Sequence, residues 1–215
     1  MRSCLTLLAA RHQGLVGGRV AIRRFLRHLA HTVGANAFFV ALVQVARSVC
    51  RRRGGDDALE EWRSAGACAR GRFRPDGYGC YRRAGSRFGF FLEYDRGTER
   101  PGDYAAKLAA YYRYRDSGSA ARDYDGFPTL LLVTISDVAE ARFAHQVYLA
   151  HQQHGSTPLC VLLTTSRRIE AHAEGVLGPV WRAPSTIGSG LDQVRGYWLP
   201  GRPPCGRLRA DSIPT

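Results

Sequence analysis

Apolar residues recur at helical spacing in the first quarter of the chain and gather into unbroken runs further on. Val20 to Ala30 is predicted as a helix carrying Arg23, Arg24 and Arg27. A second helix is predicted after Gly34, with Asn36 as N-cap and Phe38, Leu42, Val45 and Val49 along one stripe. It ends in Arg51-Arg52-Arg53-Gly54-Gly55, where cations suit a helix C-terminus and glycines stop it. Asp56 and Asp57 open a short predicted helix, Ala58 to Ser64, anchored by Trp62.

The pattern changes after Gly71. Phe73 to Asp76 and Tyr78 to Arg82 read as short strands, and Gly85-Ser86 as a turn. Phe88 to Asp95, Thr129 to Ile135 and Leu159 to Thr165 are continuous apolar runs of the kind that fill a buried sheet. Helices are predicted from Tyr104 to Arg115, from Asp137 to His151 and near Arg167 to Glu174, with a short strand at Val180-Trp181. Hairpin-like strands followed by α/β alternation predict a mixed sheet flanked by helices. Three regions are expected: a basic helical segment over 1–55, an α/β domain over 56–199 and a proline-rich tail over 200–215.

Composition sharpens the picture in two ways. The 215 residues carry 31 basic against 18 acidic side chains, a net charge of +13, which favours a polyanionic partner with nucleic acid first. The basic set contains a single lysine, Lys107, and is otherwise arginine. A compact ammonium does things a guanidinium cannot, which makes Lys107 a candidate for chemistry.

Other classes recede. The six cysteines form no Cys-x-x-Cys pair and read as reduced thiols of a cytoplasmic protein. The apolar window Leu29 to Ala46 contains His31, Asn36 and Gln44, which suits a buried helix better than a membrane span. His145, His151 and His154 lack further ligands at metal spacing, and no serine lies in a Gly-x-Ser-x-Gly setting.

Three acids stand out instead. Asp76 lies in Arg74-Pro75-Asp76-Gly77, and Glu93 and Asp95 end the Phe88 to Asp95 strand, where alternation points both to one face. Oxygen-only ligands suit Mg²⁺ or Mn²⁺, and Lys107 follows one turn into a helix that can pack beside that strand. Such a set can hold a metal, bind a phosphodiester and orient water. Each acid also has a bland reading, as a turn residue or as the partner of a nearby arginine such as Arg96 or Arg100.

Arg74-Pro75-Asp76-Gly77, then Phe90-Phe91-Leu92-Glu93-Tyr94-Asp95-Arg96-Gly97-Thr98, then Lys107-Leu108-Ala109-Ala110-Tyr111 resemble the replication-relaxation family of plasmids and integrated mobile elements, frequent in actinobacteria. His31, Asn36 and Trp62 also sit where that pattern would put them, and the resemblance runs from about Leu29 to Thr165. It implies a restriction-endonuclease-like, PD-(D/E)XK layout. Asp76 and Glu93 would then be metal ligands with Asp95 beside them, and Lys107 would complete the catalytic set from a helix. Such proteins usually begin with a winged helix-turn-helix. Fewer than thirty residues precede the matching stretch here, so that module is expected to be truncated or absent, with Arg19 to Arg27 as a basic remnant. Relatives often carry a glutamate where this chain has Ala65.

Two functions follow as expectations. One is a Mg²⁺- or Mn²⁺-dependent DNA endonuclease or nickase using Asp76, Glu93 and Lys107, with Arg23, Arg24, Arg27, Arg51, Arg52 and Arg53 on the DNA backbone. The other is a catalytically inactive DNA-binding accessory factor in plasmid replication or transfer. DNA is the expected partner, no membrane association is expected, and the sequence is silent on oligomeric state.

Overall fold

The computed structural model describes residues 18–124, 126–154 and 157–187. The expected proline-rich tail therefore lies outside the described residues. Five strands form one sheet in the order β1-β2-β3-β4-β5, namely Ala58–Ser64, Gly77–Arg83, Ser86–Asp95, Thr129–Thr134 and Val161–Thr165. The first three are an antiparallel meander, and β4 and β5 add in parallel through helical crossovers. The mixed α/β sheet expected from the sequence is present.

Helix α1 (Gly18–Arg53) lies on one face of the sheet. Its Phe38, Phe39, Leu42 and Ala46 share a core with Phe90, Leu92 and Leu131. The other face is covered by α3 (Pro101–Asp116) and α5 (Asp137–His154), with Leu108, Tyr111 and Phe143 against Phe91, Leu130 and Leu132. Three short α-helices also lie among the described residues: α2 (Ala65–Cys68), α4 (Ser119–Tyr124) and α6 (Ser166–Ala171). By length and composition the stretch His28–Arg53 of α1 could cross a membrane. Its Phe38, Phe39 and Leu42 face is spent on the sheet.

Four local expectations need correction. The two predicted N-terminal helices are one, because Gly34 does not break α1. It brings the helix backbone onto the Tyr94 ring so closely that a Cβ there would lie 2.2 Å from Cε1. Ala58–Ser64 is an edge strand and not a helix. Asp56 accepts the amides of Ala84 and Gly85 at 2.7 and 3.0 Å, pinning the start of β1 to the β2–β3 turn. That turn needs left-handed backbone at both Ala84 (φ 49) and Gly85 (φ 71), the geometry favoured in two-residue hairpins. Phe73 to Asp76 makes only a bridge between Arg70 and Phe73, and the Val180-Trp181 strand reduces to a bridge between Leu163 and Arg182.

Candidate active site

Antiparallel β2 starts opposite Leu92, so the last three residues of β3 run on with β4 alone on their other side. Asp76 stands at this notch, just before β2, with its own amide donating to the Leu92 carbonyl at 2.9 Å. Strand alternation then separates the neighbours. Leu92 and Tyr94 face α1, while Glu93 and Asp95 face α3. Pro101 at the first turn and the Asp103 carboxylate accepting the Arg100 amide at 2.9 Å start α3 where Lys107 can reach the strand.

Glu93 is fully buried. It accepts Lys107 Nζ at 2.7 Å on one oxygen and the Tyr111 hydroxyl at 2.6 Å on the other. Lys107 also donates to Glu99 at 2.8 Å. Across the notch, Asp76 accepts His31 Nε2 from α1 at 2.8 Å and the Tyr94 amide at 2.8 Å. The structure thus brings Asp76, Glu93 and Lys107 into one electrostatic cluster.

Asp95 also faces α3, but both of its oxygens are engaged inside the fold. One accepts the Tyr104 hydroxyl and the other the Gly97 amide at 2.8 Å.

Charge in this cluster is unevenly balanced. Complete burial pushes the Glu93 carboxyl up to about 8, with Lys107 opposing and the neighbouring Asp76 charge adding to the rise. Burial alone would lower Lys107, but the carboxylates of Glu93, Glu99 and Asp76 more than reverse that and hold it as ammonium. Between Lys107 and Glu93, proton uptake therefore falls on Glu93. For Asp76, burial acts upward, yet the His31 hydrogen bond and the Lys107 charge outweigh it and hold the carboxyl below its usual value. His31 is raised, first by its hydrogen bond to Asp76, against the cost of burial.

Of the six arginines expected on DNA, Arg51, Arg52 and Arg53 lie away from this cluster. Arg51 to Arg53 end α1 some twenty residues beyond His31, about 30 Å along the helix at 1.5 Å per residue. Arg53 is bound to Glu174 at 2.5 Å. Arg23, Arg24 and Arg27 lie on α1 before His31, and their side chains fall outside the described residues.

Three participants were missed or underweighted by sequence reasoning. His31 continues the buried line Ala35, Phe38 and Leu42 one turn back, so a polar residue on that line was the available signal. Tyr111 reads as plain core until its hydroxyl is seen on Glu93. Glu99 carried no signal at all.

A family model described as replication-relaxation matches residues 11–130, more than half of the chain. No curated protein and no solved structure matches it.

Proposed function

The chain belongs to the replication-relaxation family, and we propose that it acts on DNA in the replication of a plasmid or mobile element, as a Mg²⁺- or Mn²⁺-dependent endonuclease centred on Asp76, Glu93 and Lys107. The observation that carries this reading is the chain's only lysine held 2.7 Å from a fully buried glutamate that feels the charge of a second acid just before the adjoining strand. Perturbed titratable groups gathered at one notch are what phosphodiester chemistry draws on. The order of helix, three-stranded meander, helix and parallel strand supports a restriction-endonuclease-like assignment.

The donor chemistry fits a hard divalent cation at two of the three acids. Mg²⁺ is commonly held by one or two carboxylates, with water and substrate phosphate filling the other positions. Asp76 and Glu93 offer those carboxylates, and a cation would offset both the burial and the Asp76 charge that raise Glu93. Asp95 turns its oxygens to the Tyr104 hydroxyl and the Gly97 amide and not to the groups of this cluster, and serves to anchor Tyr104 and the Gly97 turn. A cation at Asp76 and Glu93 would replace hydrogen bonds now made by His31, Lys107 or Tyr111. Among the described residues no group of three or more His, Cys, Asp or Glu forms a complete cage. When bound, the metal would supply Lewis-acid polarisation of the phosphate. The protein's own part is to orient Glu93 through Lys107 and Tyr111, to hold Asp76 ionised through His31, and to place an ammonium against the charge that develops on the phosphate.

Supercoiled plasmid incubated at low salt with Mg²⁺, Mn²⁺ or EDTA tests the reading. Metal-dependent nicking is expected from the wild type, falling at least ~100-fold in Asp76→Asn and Lys107→Met. An intact gel shift with no nicking in either metal contradicts it. That outcome would support the second reading, an accessory DNA-binding factor. This reading is favoured by His31 and Lys107 already neutralising Asp76 and Glu93 internally.

A further inference from the structure

All four arginines of the sheet strands, Arg63, Arg82, Arg83 and Arg87, are tied to acids, and so are several elsewhere. Arg63, Arg70, Arg82, Arg83, Arg87 and Arg168 all make ion pairs within 3.3 Å. Arg72, Arg74 and Arg113 make none among the described residues, and they meet in a single cleft of about 340 Å³ beside the candidate active site. Lys107 and Tyr111 line the same cleft, and no acidic side chain does. A second cleft of the molecule shows the contrast, since there Arg63, Arg87 and Arg122 share the lining with Glu61 and Asp123.

The cations are held in place by ordinary packing. In the segment before Asp76, Phe73 and Pro75 are buried while Arg72 and Arg74 are exposed, so alternation turns both guanidiniums outward. Phe73 stacks on Tyr114 of α3 at 4.0 Å and meets Tyr111 edge-on, and its backbone is bonded twice to Arg70. This locks the segment against the helix that carries Arg113. On α3 the cleft floor is Ala106, Ala109 and Ala110, one helical face with Arg113, where no long side chain keeps a bulky ligand away.

We propose that this cleft binds the phosphodiester backbone of a nucleic-acid strand, with Arg72, Arg74 and Arg113 contacting phosphates and leading the strand to Lys107. The inference deepens the function proposed above and rests on it for the chemistry, but not for the binding. Unpaired guanidiniums converging on a concave surface suit phosphate, which they contact bidentately. Whether that strand is free or part of a duplex is left to the test. It moves the principal DNA contact away from Arg51 to Arg53, at the far end of α1.

The test is fluorescence anisotropy of labelled duplex and single-stranded DNA in EDTA, from low to moderate salt, so that no cleavage intervenes. The triple variant Arg72→Gln/Arg74→Gln/Arg113→Gln should weaken binding at least ~10-fold and reduce the salt slope by about 3, one per phosphate contact. Arg51→Gln/Arg52→Gln should change it far less. Because all three side chains are exposed, melting temperature should be unchanged, and the single reversal Arg113→Glu gives a second handle. Unchanged binding by the triple variant overturns the proposal, as does a larger loss in the Arg51/Arg52 control. Tighter, equally arginine-dependent binding to phosphatidylserine vesicles overturns the nucleic-acid assignment. Binding without nicking fails only the endonuclease reading, whereas absence of any DNA binding fails both.

Discussion

Glu93 and Glu140 are both completely buried, yet the protein treats their charges differently. Glu140, on α5, receives Arg168 on both oxygens at 2.7 and 2.9 Å, with Arg182 at 3.7 Å and Asp137 sharing Arg168 at 2.8 Å. Two acids face two guanidiniums, and the fork geometry leaves little for a ligand to improve. Glu93 shares one ammonium with Glu99 and feels Asp76 across the notch, so three acids face Lys107 and the His31 imidazole. The first cluster is a closed clamp between α5 and α6. The second sets three acids against one ammonium and one imidazole and holds a carboxyl that burial, with the Asp76 charge adding, raises to about 8; it is the one a cation would change.

The comparison can be broken by deleting the cation from each side. Arg168→Met should cost about 3–5 kcal/mol in urea unfolding at pH 7, because it strips a buried carboxylate of its fork. Lys107→Met should cost less, about 1–3 kcal/mol, because Glu93 is already poised to take up a proton. Asp137→Asn, whose side chain is 77% exposed, should cost no more than about 1 kcal/mol. Equal losses for Arg168→Met and Lys107→Met would erase the distinction between the clusters.

The pH dependence sharpens it. Glu93 rises from 4.5 to about 8 on folding, so between those values the folded chain keeps a proton that the unfolded chain has released. Its contribution to stability is complete below about pH 4.5 and is lost as pH rises toward 8. His31, raised from 6.5, works in the same direction, its contribution present below 6.5 and lost as pH climbs through its folded value. Asp76, held below 3.8, matters only on the acid side, where stability falls as pH drops through its folded value. Urea midpoints should therefore decline from pH 5 to pH 8, and Glu93→Gln should flatten most of that decline. A wild-type midpoint flat across the window would contradict the raised Glu93 carboxyl.

How much of this was legible depended on whether local chemistry or distant packing decided each element. The strands ending at Asp95, Thr134 and Thr165 announce themselves as apolar runs because both faces of the sheet are covered. Ala58–Ser64 does not, because an edge strand with Glu60, Trp62 and Ser64 exposed carries only a half-buried signal, which also suits one helical turn. Gly34 reads as a break until the Tyr94 ring against it explains why a side chain is missing there.

In the site, Lys107 could be singled out by its rarity, and the side of β3 on which Glu93 lies by strand alternation. Glu99 sits in a connection whose course depends on left-handed backbone at Gly97, and nothing local marks it. The convergence of Arg72 and Arg74 on Arg113, about forty positions away, is made by Phe73 stacking on α3. Such tertiary placement has no short-range signature.

The most direct measurement is Mn²⁺ binding, followed by the loss of the free-ion electron paramagnetic resonance signal, in the wild type, Glu93→Gln and Asp137→Asn. If the notch is the metal-using centre, the wild type and Asp137→Asn take up Mn²⁺ alike and Glu93→Gln loses that uptake while remaining folded. Failure of the folded wild type to take up Mn²⁺, or uptake undiminished in Glu93→Gln, would contradict that claim.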